Sequence, residues 1–79
     1  MFYYDIKKSG KRIKELRKAK GLTQDKLSEK IGISRQGLKM IECGINGARI
    51  DTFVYLAEAL DTTIDYLVLG RSCMVIDEE

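Results

Sequence analysis

The chain has 79 residues, 44% hydrophobic and 33% charged, with a formal net charge of +2 and no histidine. Such a length allows one domain with one core, burying about 60–65% of the unfolded chain's surface. The composition is that of an ordinary globule, and no apolar run nears the roughly 20 residues that a membrane span needs.

Residues 1–4, Met-Phe-Tyr-Tyr, are apolar and lead directly into charge, which is not a signal-peptide layout. Retention in the cytoplasm is the default expectation. Asp5 is placed to cap a first helix reaching about Lys20, with Ile6, Ile13 and Leu16 as its buried stripe. Gly10 weakens a helix by roughly 1 kcal/mol relative to alanine, so the helix is expected to start properly only after it. Gly21 is the stop, and Leu22 folds back onto the core.

The next stretch, TQDKLSEKIGISRQGLKMIE, covers Thr23 to Glu42. Thr23 caps a short second helix in which Leu27 and Ile31 share a face and Asp25, Lys26, Glu29 and Lys30 meet water. Gly32 ends that helix because glycine takes the left-handed conformation without a Cβ clash. Ser34 caps a third helix with Leu38 and Ile41 inward, and the small Ser28 lets the two helices cross closely. Cap, apolar pair, glycine, apolar residue and second cap within twenty residues form a helix-turn-helix.

The segment Cys43–Arg49 holds two glycines and an asparagine and reads as a loop. A fourth helix begins near Ile50 or Asp51, with the Asp51 carboxylate at the positive end of the helix dipole. Ile50, Phe53, Val54, Ala57 and Leu60 are its expected core positions. Asp61 and Thr62 break it, Thr63 caps a short fifth helix with Ile64, Leu67 and Val68 inward, and Gly70 ends that helix. No strand periodicity, repeat or proline appears in residues 5–70. The apolar run Cys73–Ile76 precedes three acids. It is either a frayed tail, a segment packed against Phe2–Tyr4 of its own chain, or a dimer contact.

Charge is segregated along the chain. Residues 1–42 hold 12 Lys/Arg and 5 Asp/Glu, and residues 43–79 hold 2 Lys/Arg and 7 Asp/Glu. The basic part contains the helix-turn-helix, a footprint that suits a polyanion as well as a solvated helix face. Cys43 and Cys73 match no zinc spacing and are expected to stay reduced. Without histidine, a nucleophile–base pair or a glycine-rich phosphate loop, nothing points to an enzyme, a metal or a cofactor.

The runs RIKELRKAKGLTQDKLSEKIGIS, IECG and IDTFVYLAEALDTTIDYLVLG resemble the Cro/lambda-repressor-like helix-turn-helix family, also called the XRE family. The resemblance covers residues 10–70. It implies an all-α, five-helix lambda-repressor-like DNA-binding domain with the helix-turn-helix at about 23–42. The whole chain, residues 1–79, would be that single domain, with a core over 5–70 and with 1–4 and 71–79 as terminal extensions.

The family's pattern implies roles for individual positions. The helix from Ser34 to about Cys43 would lie in the major groove, presenting Arg35 and Gln36, then Lys39 and Met40. Arginine suits guanine O6 and N7, glutamine suits adenine N6 and N7, and Met40 suits an apolar surface such as a thymine methyl. Gln24 would set its amide and nearby backbone N–H groups on a phosphate. Arg49 is the remaining phosphate-directed cation of the following loop. Arg17 and Glu42 match a pair that orients the recognition helix. Two positions depart from the pattern. Gly37 replaces the usual serine, threonine or alanine and loosens its helix by roughly 1 kcal/mol. The loop over residues 43–48 lacks the customary cations, which implies a shallower salt dependence.

The implied function is a sequence-specific DNA-binding transcriptional regulator, a repressor binding a palindromic operator as a homodimer. Its partners would be operator DNA and a second copy, with no membrane and no small-molecule ligand. The dimer would form through Thr63–Leu69 or through the apolar termini. The competing reading is a protein-interaction module of the same fold, such as the antitoxin of a toxin–antitoxin pair.

Overall fold

A computed structural model describes residues 4–71. Five helices follow in order: α1 (Ile6–Ala19), α2 (Gln24–Ile31), α3 (Arg35–Glu42), α4 (Ile50–Ala59) and α5 (Ile64–Leu69), and no strand occurs among the described residues. Phe2, Tyr3 and Cys73–Ile76, the candidate terminal contacts, lie outside the described residues.

Short polar side chains start four of the helices. The Asp5 carboxylate accepts from the backbone N–H groups of Lys7 and Lys8 at 3.0 and 3.1 Å. Thr23, Ser34 and Thr63 each accept from the N–H three residues on, at 3.1, 2.9 and 3.1 Å. Each such bond satisfies a donor that has no partner inside its helix. α4 has no side-chain cap, and Asp51 stands in its first turn. The α2–α3 turn passes through Gly32 at φ 79°, the left-handed region that a side chain would strain.

The core gathers Ile13, Leu27, Ile31, Leu38, Phe53, Leu56, Ala57, Leu60 and Leu67 from all five helices. α1 lies against α3 and α5, α2 against α3 and α4, and α4 against α5. Leu16, Ile41, Ile64 and Val68 are half-buried around this cluster, and Tyr4 meets the Phe53 ring edge-on at 6.2 Å.

Three expectations change. Helix α1 does not wait for Gly10 but runs through it from Ile6. Gly10 is buried where α1 crosses the end of α3. A Cβ there would collide with the Ile41 carbonyl oxygen and lie 2.7 Å from that of Glu42. The residue therefore serves close backbone approach rather than helix termination. In α4, Ile50 and Val54 are not core, being 70% and 39% exposed, whereas Leu56 is fully buried. Part of the reason is angular: Phe53, Leu56, Ala57 and Leu60 share a sector of about 100°, Val54 lies about 60° beyond its edge, and Ile50, about 20° beyond it, is the first residue of the helix. The apolar stripe of α4 is wider than the face its neighbours cover.

Gly10→Ala is expected to destabilise the fold by about 2–3 kcal/mol through overpacking at the α1–α3 crossing. Gly21→Ala has no neighbour within 4 Å of its added Cβ, and left-handed strain alone is expected to cost about 1 kcal/mol. Urea unfolding of both variants checks the order, and an equal or smaller loss in Gly10→Ala would refute the close approach.

Candidate nucleic-acid interface

Helix α3 has eight residues, too few to stand alone, so its shape comes from docking. Leu38 anchors it in the core and Glu42 is buried at its C-terminal end. Arg17 approaches Glu42 from α1, with Nε 2.7 Å from Oε2 and Nη2 3.2 Å from Oε1. The remaining Arg17 nitrogen, Nη1, donates to the Leu22 carbonyl at 2.8 Å. The two charged side chains keep 9% and 1% of their surface exposed. Desolvating both groups is expensive, and the forked geometry with its extra acceptor offsets that loss.

Gln24 belongs to the same cluster. Its Nε2 donates to Glu42 Oε1 at 3.1 Å, so the amide expected on a phosphate is first a tie between α2 and α3. A primary amide carries two hydrogens, which leaves one for a further acceptor. Arg17, Leu22, Gln24 and Glu42 thus bind α1, the α1–α2 turn, α2 and α3 together. Sequence reasoning found the Arg17–Glu42 pair through the resemblance. It missed the Leu22 and Gln24 contacts, which have no local signature.

The exposed side of α3 is polar. Ser34, Arg35, Gln36 and Lys39 are exposed, and Met40 is half-buried. Arg35 Nε lies 3.6 Å from Asp25 Oδ1, with both side chains about two-thirds exposed (68% and 69%). A pair so exposed is screened and readily exchanged for another partner. Between the start of α2 and this arginine lies an open depression of about 450 Å³ lined by Arg17, Gly21, Leu22, Thr23, Gln24, Asp25 and Arg35. The first backbone N–H groups of α2 have no intrahelical acceptor, and the helix dipole is positive there, so this hollow suits an anionic oxygen.

Beyond α3, the loop folds back on Met40. The Met40 carbonyl accepts from the N–H groups of Ile45 and Asn46 at 3.0 and 3.3 Å. The Asn46 amide also reaches the Met40 sulfur at 3.7 Å. Arg49 is exposed, with Nε 3.7 Å from Asp51 Oδ1, and Cys43 is a free, exposed thiol at the end of α3. Gly37 leaves α3 continuous, and its N–H is the one capped by Ser34. Among the described residues no cluster of His, Cys, Asp and Glu could hold a metal ion. No helix among them is long and apolar enough to cross a membrane.

Comparison with known proteins adds three findings. A family model described as helix-turn-helix matches residues 13–67. An HTH-type transcriptional regulator of Rickettsia conorii is 44% identical over 61 residues, which is 77% of this chain and 49% of that protein. The chain spans about half the length of the curated relatives it matches. Among solved structures, the restriction-modification controller protein C.AhdI of Aeromonas hydrophila superposes with a TM-score of 0.76 at 37% identity. That match covers 82% of this chain and 98% of the other. The P22 c2 repressor bound to a synthetic operator gives a TM-score of 0.77 at 27% identity, covering 80% and 96%.

The buried and exposed ion pairs are expected to respond differently to substitution. Glu42→Gln leaves the Arg17 charge buried without its counter-charge and should destabilise the domain by about 3 kcal/mol. Asp25→Asn, which breaks the exposed pair, should cost less than about 0.5 kcal/mol. Equilibrium unfolding in urea measures both, and comparable losses would contradict the cluster's assigned importance.

Proposed function

This chain belongs to the Cro/lambda-repressor-like helix-turn-helix family, and on that premise we propose that it is a sequence-specific DNA-binding transcriptional regulator. It represses by occupying a palindromic operator as a homodimer in the cytoplasm. The observation that carries this reading is how α3 is held. Leu38 fixes its middle and Glu42 its C-terminal end, while Arg35, Gln36 and Lys39 stand exposed, Arg35 beside the anion-suited start of α2. A rigidly held helix with a free polar edge is what base readout in the major groove requires.

In this reading Arg35 and Gln36 contact base edges, Met40 reads an apolar group, and Ser34 and Lys39 flank them. Gln24 and Arg49 meet phosphates, and Arg17 with Glu42 sets the helix at its angle. The P22 c2 repressor, similar over most of its chain, is bound to an operator, which supports the DNA partner. The function is regulatory and not enzymatic, as in the family and the relatives named above.

A second reading, a protein-interaction module of the antitoxin kind, is favoured by one observation. Ile50, Val54 and Tyr55 leave an apolar flank of α4 in solvent, more than a monomer needs.

Selection from a randomised duplex pool at near-physiological salt, followed by sequencing, decides between them. A palindrome is expected, with half-sites spaced by the distance between two recognition helices. Arg35→Ala should then relax one position per half-site and lose about 1–3 kcal/mol of discrimination there. A folded protein that recovers no motif would make the interaction module the correct reading.

A further inference from the structure

Helix α1 carries a feature that the base-reading surface does not use. Lys7, Lys11, Lys14 and Lys18 recur at the four-, three- and four-residue steps of one helix face, and all four are exposed. At about 100° per residue they fall within a sector of roughly 60°. That sector adjoins the edge formed by Gly10 and Arg17, the two residues through which α1 meets the end of α3. At its N-terminal end the row abuts the loop that follows α3. A methyl added to Gly44 would lie 2.7 Å from Lys7 Cγ and 2.8 Å from its Cα. The row therefore runs beside the seam between α1 and α3 rather than on the α5 side, where Ser9 and Arg12 bind the Leu67 carbonyl.

Like charges at these steps repel one another and weaken a helix. None of the four lysines forms an ion pair among the described residues, and α1 has no acid in its first turn. Glu15, also exposed, is the one acid within α1, four residues after Lys11 and three before Lys18, so most of this repulsion is left uncompensated within the helix. A polyanion lying along the row would offset it, and the row's position beside α3 selects the polyanion that α3 itself would meet.

We infer that Lys7, Lys11, Lys14 and Lys18 form a second phosphate-contacting edge, which follows the DNA backbone beside the groove occupied by α3. This assignment rests on the DNA-binding reading above and extends it to a helix outside the helix-turn-helix. It also supplies the cations that the loop over residues 43–48 lacks, where Ile45 and Asn46 are exposed. The salt dependence of binding is then steep despite that loop, because each neutralised phosphate adds about 0.9 to the log–log slope.

The test is the affinity for a mixed-sequence duplex and for the selected duplex, measured across a salt series with three proteins. These are the wild type, the quadruple variant Lys7→Gln, Lys11→Gln, Lys14→Gln, Lys18→Gln, and the control Lys8→Gln, Lys30→Gln. Both control lysines are exposed, and Lys8 lies on the far side of α1 from the α3 seam. Circular dichroism confirms that each protein is folded. The quadruple variant should lose about 3–4 units of slope for each bound protomer, about 7 for the homodimer, on either duplex and keep the selected motif, while the control changes little. An unchanged slope, or an equal loss per charge in the control, overturns the phosphate edge and leaves the regulator reading standing. Wild type that retains no duplex at low salt overturns both.

Discussion

The buried ion pair of Arg17 and Glu42 is the constraint on which the rest of the arrangement depends. It closes at 2.7 Å at the point where α1 crosses the end of α3, next to the glycine that permits the crossing. Its neighbours, the Leu22 carbonyl and the Gln24 amide, extend the tie to the α1–α2 turn and to α2. A hydrophobic pair of similar volume could hold the helices as firmly, since buried ion pairs often add little net stability. What directed hydrogen bonds add is an angle. They set α3 in one rotation against α1 and α2, which a slippery apolar contact does not.

That division of labour explains why α3 tolerates a weak helical sequence. It is short, and Gly37 lowers its intrinsic stability by about 1 kcal/mol. Ser34 at one end, Leu38 in the middle and Glu42 at the other hold it through capping, burial and charge pairing. Its remaining side chains are thereby free to face solvent without structural duty. α1 divides similarly. Ile13 enters the core, Ser9 and Arg12 fasten the carbonyls of α5, Arg17 fastens α3, and the lysine row is left outside.

Legibility from the sequence followed the range of the interactions involved. Asp5, Thr23, Ser34 and Thr63 act on backbone groups two or three residues away, so their positions alone disclosed four helix starts. Gly32 and Gly70 marked helix ends for the same reason. Contacts between distant segments left weaker traces. Gly10 looked like a local weakness because the carbonyls that require it lie some thirty residues away. Ile50 and Val54 looked like core because apolarity shows which stripe is able to be buried, not how wide a face its neighbours cover. The Arg17–Glu42 pair became visible only through family resemblance, and Gln24's attachment to it was not visible at all.

In the proposed reading, the surface organised by this ion pair is the surface that meets DNA. Backbone amide resonances followed during titration with a short duplex test it most directly. The largest shifts are expected at the start of α2, along the exposed edge of α3, in the loop after it and along the lysine edge of α1. Shifts confined to α4 and α5, around Ile50, Val54 and Tyr55, would contradict it and place the working surface on the apolar flank of α4.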